Sequence, residues 1–416
     1  MNFSDTHIET QDPAKDLGLR NGFGAEVEAW LDENVPQALT AAACRQPSPG
    51  DWLALNQLRL LLGKKGWLAI QKPQEGFESV LGEALERRGL AWMRDGGSEA
   101  LGIALETWAT PSQIQGFMGP LTRREPVVWI TSLEPGTEVD ASRIGISATE
   151  DGDDYVVDGR GLFEGIGPKP DLLWSLVRLK ADPGSIDQDL SPICSCLIPT
   201  GSPDIVYPRS RSLTPGGPRA VILNQVRIPR YLMLGPPGKG AMVMQSATAA
   251  ATDGREPHGG DAEAAWLQRS LLDAVDACVD PDQREILEQS VMDSYIDSSV
   301  SRLFRMRDAW MRDTFTRGGG GGEPLTYQPA QTRLWEGRAA TRLAETARQV
   351  LGPYSLLDHR DPRAPAEGRF ELQQRRSLDQ NSSRSHWLID RDSIARHLGL
   401  ARQTSSPVPA GASDPV

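Results

Sequence analysis

The stretch SSRSHWLIDRDSIARHLGL, residues 382–400, gathers serine hydroxyls, an arginine, His386 and Trp387 at what reads as the first turn of a late helix. Histidine is suited to moving protons near neutral pH. A lone one beside a tryptophan, however, is more often a packing or interface residue than an acid or base. The five histidines of the chain show no metal-ligand spacing. Of the four cysteines, Cys44 and Cys278 stand apart, while Cys194 and Cys196 alternate within an apolar run, as neighbours on one strand face do. All four read as reduced thiols, mostly structural. Five consecutive glycines at 318–322 lack the Lys-Ser/Thr that a phosphate-binding loop carries, so they read as a flexible connection. The stretch AAATDGREPHGG contributes Asp253 and Arg255, and QVLGPYSLL contributes Gln349 and Gly352. Read alone, these are a turn residue before Gly254 and a helix stop.

The bulk of the chain limits what such residues can serve. At 416 residues it exceeds one simple core and predicts two or three domains. A net charge of −12 and no Lys/Arg block argue against nucleic acid, whose phosphates need a basic field. No apolar run reaches the roughly 18–20 residues of a membrane span. The opening MNFSDTHIETQDPAKDLG has no basic region followed by an apolar one, so a soluble cytoplasmic protein without membrane partners is expected.

The elements that must position these residues follow in three blocks. Residues 1–20 are polar and expected to be mobile. Residues 21–125 read as helices: Phe23, Val27, Trp30 and Leu31 recur at helical spacing, DWLALNQLRLLLGKKGW, FESVLGEALERRGLAWM and GSEALGIALETWA follow, and Thr110 before Pro111 is a strong helix start. The texture changes at Val127. VVWITSL, two runs around an acidic Asp-Gly turn, DLLWSLVRL, ICSCLIP, DIVYP and AVILNQVRIP predict a small β barrel or sandwich over 126–232. Helices return over 233–402, and residues 403–416 form a Pro/Ser/Ala tail that cannot bury a core.

That order, with these words in it, resembles the acyl-CoA dehydrogenase family over about residues 22–402. VEAWLDENVP resembles its opening helix, and GKKGWLAIQKPQEGF its Gly-Trp-Leu turn. ATPSQIQGFMGPLTRREPVVW and SLEPGTEVD resemble a Thr-capped helix and a Glu-Pro-Gly turn. DGDDYVVDGRGLF and RSLTPGGPRAVILNQVRIP resemble its middle domain, and QVLGPYSLL a late helix end. The resemblance implies an α+β fold with an N-terminal helical domain, a middle β-barrel domain and a C-terminal four-helix bundle. It also implies a reaction: desaturation of an acyl-CoA thioester between Cα and Cβ. A carboxylate removes the α proton and FAD accepts hydride. An α proton is weakly acidic, so a positioned base and hydrogen bonds to the thioester oxygen must act together. Members are usually dimers of dimers with FAD at a subunit interface.

The matching positions depart from the pattern where chemistry belongs. The family's hydroxyl before the Glu-Pro turn, a flavin contact, is Leu133. Glu134, Pro135, Gly136 and Asp140 are in place, but the Gly-Ser pair that meets the pyrophosphate is Glu138-Val139. The Trp-x-Ser/Thr beside the isoalloxazine is Phe163, Glu164 and Gly165, where the Gly165 N–H still offers a donor. The usual base falls on Ser383 when anchored on Leu398-Gly399-Leu400, and on Arg384 when anchored on Ile389 and Arg391; neither is a carboxylate. Asp253 matches the earlier-helix position that a few members use, and Arg255 the arginine that follows it. Gln349 and Gly352 match a segment reaching the partner's FAD. The resemblance therefore implies the base-less subunit of a heteromer, as in bacterial members acting on steroid or related CoA thioesters, or a flavin-free scaffold. An active flavoenzyme based on Asp253 or Glu164 is the third alternative.

Overall fold

The computed structural model describes residues 13–35, 39, 49–68, 80–82, 84, 85, 88, 90, 96–132, 144–180, 192–208, 218–253, 261–277, 280–317, 327–382 and 387–400. The expected glycine connection at 318–322, the tail at 403–416, Cys44 and Cys278 lie outside the described residues, as does most of the helix expected over 77–93.

The first block holds helices α1 (Pro13–Asn34), α2 (Pro49–Lys64), α3 (Gly96–Trp108) and α4 (Pro111–Thr122). α1 begins inside the stretch expected to be mobile. Good helix formers at Ala14, Lys15, Leu17 and Leu19 continue the helix backwards from the segment that Val27 and Leu31 anchor in a core with Leu55, Leu58 and Leu62. α4 starts at the predicted cap. Thr110 Oγ1 accepts from the Gln113 N–H, and Gln113 Oε1 accepts from the Thr110 N–H at 2.8 Å. The Gln113 amide also donates to the carbonyls of Tyr231 and Met233 at 2.7 and 2.8 Å, tying α4 to the last strands.

Two adjacent arginines close this block differently. Arg123 is exposed and pairs with Glu125. Arg124 is 1% exposed, sits at φ 57°, donates to the Leu68 carbonyl at 2.7 Å and pairs with Glu99 at 3.0 Å. Breaking such a buried pair leaves an uncompensated charge, so Arg124→Met is expected to cost about 3 kcal/mol, read from the denaturant midpoint.

The middle block is one eight-stranded sheet: β1 (Val128–Thr131), β2 (Ile146–Asp151), β3 (Asp154–Glu164), β4 (Leu172–Leu179), β5 (Ile193–Pro199), β6 (Ile205–Val206), β7 (Arg219–Pro229) and β8 (Met233–Leu234). The strand order is β6-β7-β3-β1-β4-β5-β8, with β2 bridging β3 and β4. β1 runs parallel to β4 and antiparallel to β3, so the start of β1, the loop from β3 to β4 and the start of β7 meet at one end. Cys194 and Cys196 lie on β5, both buried and unbridged, and burial pushes both thiols up, as suits structural cysteines. One core joins α3, the sheet and the first helix of the last block.

That last block holds α5 (Gly240–Asp253), α6 (Asp261–Asp276), α7 (Pro281–Arg317), α8 (Gln328–Leu351), α9 (Arg369–Ser382) and α10 (Trp387–His397). Leu267, Leu271, Val291, Leu343, Ala347 and Phe370 form its separate core. Among the described residues no helix is long and apolar enough to cross a membrane.

Candidate functional site

The strand register decides what stands at the end of the sheet. Thr131 pairs with Phe163, Ile130 with Glu164, and Phe163 with Arg219. Gly165, one residue past β3, therefore lies against Trp129. A Cβ on Gly165 would stand 2.2 Å from Trp129 Cδ1 and 2.8 Å from the Val128 carbonyl oxygen, so no side chain fits there as the strands stand. The indole N–H of Trp129 donates to the Ile166 carbonyl at 2.7 Å. The Arg219 guanidinium lies 3.7 Å from the centroid of the Trp129 ring and donates to the carbonyls of Gly165 and Gly167. Burial pushes Arg219 down to about 10, which leaves it charged at neutral pH. Tyr207 meets the Trp129 ring edge-on at 6.0 Å.

Phe163 and Glu164 complete this end. Phe163 is fully buried and belongs to the sheet core. Glu164 accepts a 2.5 Å hydrogen bond from Ser132 Oγ, which holds its carboxylate toward β1. Of the residues the sequence singled out, Leu133, Val139, Arg255, Ser383, Arg384 and His386 lie outside the described residues, as do Glu134 and Glu138. Asp253 is the last residue of α5. Gln349 is exposed on the last turn of α8, and Gly352 ends that helix with φ 54°. The structure thus brings Phe163, Glu164 and Gly165 together. It adds Trp129, the tryptophan that closes the ATPSQIQGFMGPLTRREPVVW stretch, and Arg219, neither of which the sequence placed at the site. Their only signal was an arginine opening one strand and a tryptophan within another.

The helix carrying the end of the opening motif is pinned by charge. Asp390, 3% exposed, accepts from Arg333 of α8, with Arg333 Nη2 at 2.5 Å from Oδ1. Tyr327 stacks on His397 at 4.2 Å. Arg333 is itself 43% exposed and stays solvated without its partner, so Asp390→Ala is expected to cost about 1 kcal/mol. Hydrogen exchange is expected to lose protection over residues 387–397 while the sheet keeps its own. An open groove between α8 and α10, about 510 Å³, is lined in part by Arg338, Arg342, Glu345 and Arg391. Arg338 and Arg342 both reach Asp297, so their charge is largely spent within the bundle. Among the described residues no cluster of His, Cys, Asp and Glu could hold a metal ion.

Two helical blocks flanking this sheet define the acyl-CoA dehydrogenase fold. The chain superposes on the ChsE4-ChsE5 complex from Mycobacterium tuberculosis with a TM-score of 0.73 and 18% identity, covering 97% of this chain and 100% of that one. It matches the Tcur3481-Tcur3483 steroid ACAD with a TM-score of 0.70 and 20% identity, over 95% and 100% of the two chains. An acyl-CoA dehydrogenase from Geobacillus kaustophilus gives a TM-score of 0.70 and 16% identity, over 94% and 99%. Among curated proteins, the mitochondrial isobutyryl-CoA dehydrogenase of Dictyostelium discoideum is 24% identical over 146 residues; the match spans 34% of this chain and only 34% of that relative. No family model matches.

This fold implies FAD, and the described residues can be tested against it. The resemblance puts a hydroxyl beside the flavin's reactive nitrogen and an aromatic near its ring. Position 165 admits no side chain beneath Trp129, its carbonyl is taken by Arg219, and Phe163 is sealed inside the sheet. This end of the sheet does not fit an isoalloxazine.

Proposed function

We propose that this chain is the base-less, structural subunit of a heteromeric acyl-CoA dehydrogenase. Its partner would be a chain of the same fold that carries the catalytic carboxylate and holds FAD in its own half-site. The observation that carries this reading is the closed end of the sheet, where Trp129 fills the place of the flavin-facing hydroxyl and Arg219 seals it. It agrees with the sequence positions of the base, Ser383 or Arg384, neither of which can take an α proton. Two of the similar folds carry names that join two chains, ChsE4-ChsE5 and Tcur3481-Tcur3483, which supports a partner of the same architecture. Retaining the scaffold while losing the site suits a chain that contributes contacts across an interface. The substrate of the pair would be an acyl-CoA thioester, and the complex would work in the cytoplasm.

The same closed end favours a second reading, a flavin-free scaffold that pairs with no dehydrogenase. Co-expression with a base-bearing chain of this fold separates the two. The first reading expects a stable complex with flavin bound, and flavin absent from this chain purified alone. Failure to form a complex with any base-bearing chain favours the scaffold.

A further inference from the structure

α1 and the end of α2 build an aromatic corner whose residues take no part in the end of the sheet described above. α2 stops in a glycine turn. The Gly66 N–H donates to the Gly63 carbonyl and the Trp67 N–H to the Leu62 carbonyl, with Gly66 at φ 74°. That turn sets Trp67 against α1, where Phe23, Glu26 and Trp30 recur at helical spacing. The Trp67 ring meets Trp30 edge-on at 5.5 Å and 76°, and Phe23 at 5.6 Å and 84°. All three rings are half-buried and pack on the core of the first block.

The corner holds a cation. The Lys65 ammonium lies 4.4 Å from the Trp67 ring centroid and 5.6 Å from that of Trp30. Glu26 Oε1 stands 3.7 Å from the same nitrogen. Two nearly perpendicular rings and a carboxylate thus converge on one charged atom. The Lys65 and Glu26 side chains are 36% and 60% exposed, so water competes for both. A primary ammonium is strongly hydrated. A quaternary ammonium has no N–H to hydrate, and its methyl groups bury against ring faces. The corner therefore suits an alkylated cation better than its present occupant.

We propose that this corner is a binding site for a quaternary ammonium head group and that Lys65 is its built-in plug. The inference needs neither flavin nor a partner subunit, so it stands apart from the proposed function. Three observations set the class of ligand. First, the rings offer negative π faces and Glu26 a full negative charge, so anions are repelled. Second, the resident ammonium shows that a cationic nitrogen fits within reach of both rings. Third, the plug hangs on a flexible four-carbon stem just past the end of α2, so it swings to water without moving either helix. While Lys65 fills the corner, a ligand reaches only molecules whose plug has left, and its apparent affinity falls by that fraction.

The test is saturation-transfer NMR on the full chain at constant ionic strength, with tetramethylammonium as probe and its methyl line as readout. Lys65→Gln, which removes the plug, is expected to bind the probe roughly tenfold more tightly than the wild type. In that background Glu26→Gln should weaken binding roughly threefold, and Trp67→Leu should abolish it. Choline should bind as tetramethylammonium does, whereas its uncharged carbon isostere, dimethylbutanol, should not. Glu26 is exposed, so the Glu26→Gln arm is read even where Trp67→Leu disturbs the core. The proposal is overturned by any of four results: no saturable binding to Lys65→Gln, a wild type that binds as tightly, equal binding of the uncharged isostere, or equal binding after Glu26→Gln.

Discussion

Gly165→Ser, the substitution that writes the family's hydroxyl back into the sequence, is expected to destabilise the protein by about 3 kcal/mol and to create no flavin site. The collision lies at the Cβ itself, 2.2 Å from Trp129. Overpacking alone costs about 1–3 kcal/mol. Moving the indole also strains its 2.7 Å bond to Ile166 and its stack with Arg219. Gly165→Ala should therefore cost nearly as much as Gly165→Ser, because neither oxygen nor charge is at issue. A smaller ring should relieve it, so pairing Gly165→Ser with Trp129→Leu should cost less than the two changes summed. Denaturant midpoints for the parent, Gly165→Ala, Gly165→Ser, Trp129→Leu and the double variant check this. A Gly165→Ser chain of unchanged stability would show that the end of the sheet yields more readily than its contacts imply.

Arg219 is expected to show the second large effect. Its guanidinium is half-buried and stacked, and it supplies donors to two carbonyls, those of Gly165 and Gly167. A buried charge is costly, but each orphaned carbonyl costs about 1–3 kcal/mol. Arg219→Ala loses the donors and leaves a cavity, so about 4 kcal/mol is expected. Arg219→Met restores most of the volume and removes the charge, so it should recover part of that loss. Arg219→Lys keeps the charge without the flat fork, so it should fall nearer to Ala than to the wild type. An Arg219→Ala protein as stable as its parent would mean the stack does not hold this end of the sheet.

Much of the architecture was legible because its signals are local. Thr110 before Pro111 announces a helix start, and the run from Val127 announces strands by β-branched content. The order of blocks follows from such signals read in sequence. What escaped depends on pairing between distant segments. Arg219 reaches Trp129 only because β7 and β1 both flank β3 in one register. Arg333 finds Asp390 57 residues away, across two helices. Arg123 and Arg124 are neighbours of one type, yet one is solvated and the other buried. Only the positive φ at Arg124, which nothing in the local sequence demands, turns it inward. Phe163 was legible as the aromatic of its motif; its seat inside the core is set by the strands around it.

The central claim is that this chain keeps the architecture of an acyl-CoA dehydrogenase without a working site of its own. The most direct measurement supplies the purified chain with excess FAD, a range of acyl-CoA thioesters and an artificial electron acceptor, then follows acceptor reduction and flavin retention after desalting. The account predicts no thioester-dependent reduction and no retained flavin. Steady turnover by the isolated chain, with flavin bound in stoichiometric amount, would contradict it.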